Sequence, residues 1–148
     1  MPGGRDPVNT IATRGYDYFE HEADIGVVGC GTALADAFVA AARATFAIMC
    51  PPAGIERVDR IGVEFEEDDP ELALVTWLNL LLAHARERGL VLGDFALRRD
   101  DGHWRGEAWG EPWGAKHERG TEVKGATLTM LSVRECPEGW EARCVVDV

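Results

Sequence analysis

Two stretches of the chain repeat apolar residues every three or four positions, which is the spacing of an amphipathic helix. The first predicts a helix from about Thr32, its N-cap, to Met49. The second predicts a helix with Asp69 as its cap, Pro70 at the first helical position and Gly89 as a left-handed stop. Both helices are long enough to cover a sheet with one apolar face.

Elsewhere, apolar and aromatic residues alternate with polar ones, as in half-buried strands. The order is two strands, a helix, a strand, a helix and four strands, which predicts an α/β chain of the α+β type. Its sheet would be mixed or antiparallel, with the two helices on one face. The predicted strands are Tyr16–Glu20, Ile25–Gly29, Ile61–Phe65, Val91–Leu97 and Trp104–Trp109, then a loop over Gly110–Arg119 and a last hairpin of Thr121–Glu135 with Trp140–Val148.

The length of 148 residues predicts one domain, over residues 15–148, after a flexible extension at 1–14 that has no apolar core of a signal peptide. No apolar run approaches the ~20 residues of a membrane span. A turn tip at Glu138-Gly139 would place Cys136 opposite Glu141 rather than Cys144, so all four cysteines are predicted to be free. Free thiols indicate a reducing, cytoplasmic location.

Acidity narrows the possible partners. The chain has 26 carboxylate side chains against 15 lysines and arginines, a net charge of −11. Such a field repels a phosphate backbone, so the chain is not expected to bind nucleic acid by itself. A basic protein partner or a divalent cation is favoured instead.

The end of the chain is the first candidate for chemistry. A strand that runs to the last residue would fix the Asp147 side chain close to the α-carboxylate of Val148. Oxygen ligands of this kind suit Ca²⁺ or Mg²⁺ and not zinc. Asp24 lies between two strands, where a carboxylate either caps a turn or binds a ligand. Lys124 reads as a solvent-facing strand residue whose neighbour on the same face is Glu122.

Motifs of autonomous enzymes are absent from the sequence: there is no nucleophile elbow, phosphate loop or paired-histidine zinc motif. Glycines 26, 29 and 31 form no dinucleotide fingerprint and instead predict bends or close backbone approach. A metal-dependent hydrolase would need a general base near the metal, and His21 is the candidate next to Asp24. A histidine at that place more often anchors the turn. The sequence therefore favours an accessory protein over an enzyme.

Several short segments, in a shared order and spacing, resemble the archease family. The resemblance covers nearly all of Gly15–Val148 and departs from the family pattern at Glu22, Gly114 and Gly125. The segments are His21-Glu22-Ala23-Asp24-Ile25-Gly26, Thr32–Phe46, Trp77-Leu78-Asn79-Leu80-Leu81, Gly110-Glu111-Pro112 with His117, Thr121-Glu122-Val123-Lys124 and Val146-Asp147-Val148.

The resemblance implies a two-layer α/β sandwich, similar to one seen in a heat-shock chaperone. It implies an accessory protein, not itself an enzyme, that activates an RtcB-type RNA ligase joining tRNA halves. Activation means promoting guanylylation of the ligase and its multiple turnover. An alternative is a chaperone-like module for RNA-processing or RNA-modification proteins.

The resemblance also assigns site residues. Asp24, Asp147 and Val148 match a metal site, with Ca²⁺ favoured over Mg²⁺. Lys124 matches a lysine needed for function, and Asp24 and Asp147 share that role. His21 and Glu122, which neighbour these positions in sequence, are the supporting candidates.

Overall fold

The computed structural model describes residues 15–148, which form two helices and eight strands. The extension predicted over residues 1–14 lies outside the described residues. No helix in the described range is both long and apolar enough to span a membrane. In chain order the elements are β1 Tyr16–His21, β2 Asp24–Gly31, α1 Leu34–Met49, β3 Asp59–Glu66, α2 Pro70–Arg88, β4 Leu90–Asp100, β5 His103–Pro112, β6 Gly125–Ala126, β7 Ser132–Cys136 and β8 Gly139–Asp147.

Helix α1 begins one residue later than predicted. Ala33 is the N-cap, with φ −112° and ψ 160°, so the prediction of Thr32 in that role is wrong. The Asp36 carboxylate explains the shift. It accepts hydrogen bonds from the backbone N of Ala33 at 3.2 Å and from Oγ1 of Thr32 at 3.3 Å. Asp36, at the third helical position, therefore bonds the backbone N–H of the N-cap, and Thr32 donates to this carboxylate instead of capping the helix.

Helix α2 confirms the predicted end signals. Asp69 is the N-cap, and its side chain accepts a hydrogen bond from the backbone N of Glu71 at 2.9 Å. Pro70 occupies the first helical position, where its missing N–H would have had no partner in the helix. Gly89 ends the helix at φ 66°, a conformation in which a side chain at this residue would be strained.

The strands form two antiparallel sheets rather than the one sheet expected, and the α+β class is confirmed. The larger sheet has the order β1-β2-β8-β6, with β7 also paired to β8, and the smaller has the order β3-β5-β4. Every pairing between described strands is antiparallel. Each helix contacts strands of both sheets, so the helices join the two sheets through one apolar core.

Aromatic side chains fill the centre of that core. Trp77 is fully buried and donates its indole N–H to the carbonyl of Phe38 at 3.0 Å. The ring of Phe38 stacks on Trp104, with the centroids 4.9 Å apart. The close backbone approach predicted for the β2 glycines is confirmed at Gly29, where a Cβ would lie 2.3 Å from the carbonyl oxygen of Ala37. Only glycine lets α1 lie this close to the sheet.

The C-terminal third differs most from prediction. Strand β5 continues to Pro112, so the loop predicted from Gly110 starts later. The predicted strand Thr121–Glu135 is only partly right: residues 121–124 have no regular structure, and two shorter strands from this region, β6 and β7, pair with β8. Six positions separate Ala126 from Ser132, whereas three separate their partners on β8. The intervening residues therefore bulge out of the sheet.

The last hairpin is also tighter than expected. Cys136 pairs with Gly139, which makes Pro137-Glu138 the turn and corrects the predicted facing of Cys136 and Glu141. The consequence drawn for the thiols holds, because all four cysteines are free. Burial raises the pKa of Cys144 to about 12, which keeps this thiol protonated and unreactive.

Candidate functional site

The hairpin between β1 and β2 fixes the first site residue. His21 and Asp24 face each other across a two-residue turn, in which Glu22 has a positive φ of 55°. A left-handed residue in such a turn matches the right-handed twist of the strands. Asp24 thus stands at the very start of β2, which is an inner strand of the larger sheet.

The end of the chain lies beside that hairpin. Strand β8 pairs with β2, and Ile25 faces Val146. Asp147 and Val148 continue past this pair, alongside Asp24. The backbone N of Val148 donates to Oδ1 of Asp24 at 3.3 Å, so Asp24 holds the last residue in place. Residues 124 positions apart in sequence are therefore joined by a direct hydrogen bond.

Lys124 reaches the same place from the other side of β8. Its backbone N donates to the carbonyl oxygen of Asp147 at 2.8 Å, and the next residue, Gly125, pairs with Asp147. The structure thus brings together four predicted residues: Asp24, Lys124, Asp147 and Val148. We call these four residues the chain-end cluster.

Two residues of α2 hold the segment from Lys124 to Ala126, and neither was predicted to do so. Arg86 donates from Nη2 to the carbonyl of Lys124 at 3.1 Å. The side chain of Asn79 forms a two-way bond with β6: Nδ2 donates to the Ala126 carbonyl at 3.2 Å, and Oδ1 accepts from the Ala126 N at 2.8 Å. The available signal was a lone amide among the leucines of a buried helix, because buried polar groups need partners.

The chemistry of the chain-end cluster is that of oxygen donors next to one amine. Asp24 and Val148 are half-buried, while Asp147 and Lys124 are exposed. Carboxylate and carbonyl oxygens are the ligands of Ca²⁺ and Mg²⁺. In residues 15–148 no group of three or more histidine, cysteine, aspartate or glutamate side chains is placed to hold a metal ion. The cluster offers two such side chains, so further ligands would have to be main-chain oxygens, the α-carboxylate or water.

The two supporting candidates stand apart from the cluster. His21 lies across the hairpin from Asp24, and Glu122 is exposed on the segment before Lys124. Within the described residues, neither side chain forms a hydrogen bond or ion pair with the four cluster residues. His21 and Glu122 are supporting candidates only because they lie near residues of the chain-end cluster.

A second acidic centre occupies the Gly-Glu…His motif. Glu111 is buried, with 7% of its surface exposed. Its Oε2 accepts from the backbone N of Glu56 at 2.9 Å, Nζ of Lys116 at 2.9 Å and Nε2 of His117 at 3.0 Å. Because Nδ1 of His117 accepts from Gly114 N at 2.9 Å, Nε2 carries the proton that bonds Glu111. We call this set the Glu111 anchor.

The electrostatics of the Glu111 anchor agree with this geometry. The backbone N–H of Glu56, followed by the Lys116 and His117 side chains, lowers the pKa of Glu111 from 4.5 to about 2. In turn, the Glu111 carboxylate raises the pKa of Lys116. A carboxylate with three donors at one oxygen has its charge already compensated. The anchor therefore fixes the loop after β5 rather than offering a site.

Comparisons with known proteins agree with this architecture. Residues 16–148 match the model of the Archease protein family. Proteins called archease from Pyrococcus furiosus and Sulfolobus acidocaldarius are 38% and 34% identical to the chain. The alignments cover 91% and 90% of this chain and 99% and 98% of those proteins.

A solved structure shows the same fold. The solution structure of protein 1598 from Methanobacterium thermoautotrophicum aligns with a TM-score of 0.81 at 30% identity, over 91% of this chain and 99% of that one. Membership supports an accessory role in RNA processing. On the family match and these relatives, the chain belongs to the archease family.

Proposed function

We propose that this protein activates an RtcB-type RNA ligase in the cytoplasm, by promoting guanylylation of the ligase and its multiple turnover. The observation that carries the proposal is the convergence of Asp24, Lys124, Asp147 and Val148 at one end of the larger sheet. Family membership supports the direction toward RNA processing. The protein itself would act as a cofactor of the ligase and not as the enzyme.

A bound divalent cation is part of the proposal. Asp24, Asp147 and the end of Val148 would hold it, with Ca²⁺ favoured over Mg²⁺ because Ca²⁺ accepts irregular sets of oxygen ligands. The hydrogen bond from Val148 to Asp24 supports this role, because it holds the end of the chain at the carboxylates. When bound, the cation would neutralise repulsion between the carboxylates and present positive charge to the ligase or its nucleotide.

Charge supports a protein partner. An enzyme that handles RNA and a nucleoside triphosphate needs a basic surface, and the net charge of −11 makes this chain complementary to it. Lys124 is exposed within the acidic cluster and would meet a phosphate or a carboxylate of the partner. Hydrogen bonds with Asp147 and Arg86 hold the backbone of Lys124, so the position of this residue does not depend on its side chain.

The test is a ligation assay at limiting ligase and saturating GTP, with the ligase from the same organism. Parent protein is expected to convert single turnover into multiple turnover. Asp24→Ala, Asp147→Ala and Lys124→Met are each expected to lower this stimulation by about tenfold or more, the equivalent of roughly 1.4 kcal/mol. Asp100→Ala, which removes an exposed carboxylate of the smaller sheet, is the matched control and should stimulate fully.

Full stimulation by the folded Asp24→Ala and Asp147→Ala variants would overturn the proposal. If the parent has no effect on the ligase but prevents aggregation of unrelated proteins, the chaperone-like alternative replaces it. Circular dichroism of each variant separates loss of function from loss of fold.

A further inference from the structure

A cleft of about 430 Å³ opens beside the chain-end cluster. It lies between the C-terminal ends of α1 and α2 and the segment 113–123. Buried side chains form its floor, among them Phe46, Leu82, Val91 and Val123. Its volume is within the range of small-molecule sites, which are mostly apolar with a few polar groups.

The walls of the cleft are fixed by hydrogen bonds. Trp113 N donates to the carbonyl of Gly89 at 3.1 Å, and Gly120 N donates to the carbonyl of Met49 at 2.7 Å. The Glu111 anchor holds the middle of the segment through His117. The cleft is therefore preformed and would not lose much conformational entropy on binding a ligand.

Charge in the cleft is opposite to that of the molecule as a whole. The chain carries −11, yet the cleft lining includes Arg86 and Arg119 against one carboxylate, Glu122. Within residues 15–148 neither arginine forms an ion pair. Arg86 uses Nη2 for the carbonyls of residues 123 and 124, which leaves its Nε and Nη1 groups unbonded in the described part of the chain.

An aromatic ring stands at the mouth. Trp113 lines the cleft, and the guanidinium of Arg119 lies 4.0 Å from its ring centroid. A half-buried indole beside a guanidinium is a surface on which planar groups stack. The cleft thus combines an apolar floor, an aromatic wall and two arginines that form no ion pair within the described residues.

We propose that this cleft binds a small organic anion with an aromatic body. The rings would pack on the floor and against Trp113, with the anionic group directed to Arg86 and Arg119. This inference does not depend on the proposed ligase partner, since it concerns binding by the protein alone. Because Arg86 also bonds the Lys124 carbonyl, the ligand would sit one residue from the chain-end cluster.

The chain carries its own reporters for a test. The five tryptophans give five indole N–H resonances in a ¹⁵N-labelled sample, and Trp113 is the one that lines the cleft. Titration with 2-naphthoate is expected to move the Trp113 resonance saturably, with a Kd on the order of 1 mM for so small a probe. The neutral analogue 2-naphthalenemethanol should bind about fivefold more weakly, and acetate should give no saturable shift.

A matched pair of variants tests the role of the arginines. Arg119→Met keeps the apolar stem and removes the charge, and it should weaken 2-naphthoate binding about fivefold. Arg57→Met removes a guanidinium that lies 4.0 Å over Trp109, outside the cleft, and should leave the Kd unchanged. Three outcomes would each overturn the proposal: no saturable shift of Trp113, equal affinity for the neutral analogue, or equal weakening by both variants.

Discussion

The chain-end cluster and the Glu111 anchor are both acidic centres at loop ends, yet they differ in what their carboxylates touch. Glu111 is buried and receives three donors at one oxygen. Asp147 is exposed, and within residues 15–148 its side chain has no hydrogen-bond partner, although its backbone is held by the pairing with Gly125 and by the hydrogen bond from Lys124 N. A saturated carboxylate stabilises the fold, whereas a positioned but unsaturated one is available to a ligand.

The largest effect on stability is expected at the anchor. Glu111→Gln replaces the carboxylate with an amide at a point where three donors converge. The NH₂ group of the amide is itself a donor, so it would face a partner donor with no acceptor between them. We expect the Tm to fall by roughly 10 °C, as for other disrupted buried networks. Differential scanning calorimetry measures it. Glu107→Gln on the same strand, which removes an exposed ion pair with Arg60, is the control and should change Tm little. Equal shifts for both variants would contradict the distinction.

The second-largest effect is expected from acid, which should weaken the Glu111 anchor. The pKa of Glu111 is about 2 when folded against an ordinary value of 4.5. A lowered pKa stabilises the fold fully above pH 4.5, and this stabilisation is lost as pH falls toward 2. The gap in Tm between the parent and Glu111→Gln should therefore shrink on acidification below pH 4.5. A gap that stays constant down to pH 2.5 would show that the charge of Glu111 contributes nothing.

Removing the hydrogen bonds by which Asn79 holds β6, next to Lys124, should lower stability moderately. Asn79→Ala removes the two hydrogen bonds to Ala126, which each contribute about 0.5–1.5 kcal/mol. Urea unfolding should show a loss of roughly 1–2 kcal/mol. Glu87→Ala, on an exposed position of the same helix, should stay within about 0.5 kcal/mol of the parent. If Asn79→Ala matched that control, Asn79 would not position the segment.

The smallest effect is expected at the supporting candidates. Glu122→Gln and His21→Ala change side chains that form no hydrogen bond or ion pair with the chain-end cluster among the described residues. Ligase stimulation should stay within about twofold of the parent, less than 0.5 kcal/mol. A tenfold loss at either residue would move it into the functional set and extend the cluster across the hairpin or along the segment before Lys124.

Structure that depends on neighbouring residues was predicted from the sequence, whereas structure that depends on distant residues was not. Helix α2 was predicted to its ends because Asp69, Pro70 and Gly89 act on their own neighbours. The segment 121–124 was predicted as strand and is not one, because its path is set by Arg86 and by the register of β8, which sequence alternation does not encode.

The same distinction between neighbouring and distant residues applies to the candidate site. That Asp147 and Val148 lie together follows from their adjacency in sequence, where β8 ends at Asp147. That Asp24 joins them depends on the pairing of β2 with β8, and only the family resemblance placed it there before the structure did. Asn79 and Arg86 were missed as supports because their partners lie at least 37 residues away.

Isothermal titration with CaCl₂ tests the central contrast most directly. The parent is expected to bind Ca²⁺, and Mg²⁺ more weakly, with Asp147→Asn reducing Ca²⁺ affinity by about tenfold or more. Glu111→Gln, held at a temperature where it remains folded, should bind as the parent does. Unchanged Ca²⁺ affinity in Asp147→Asn, or loss of binding in folded Glu111→Gln, would contradict the account.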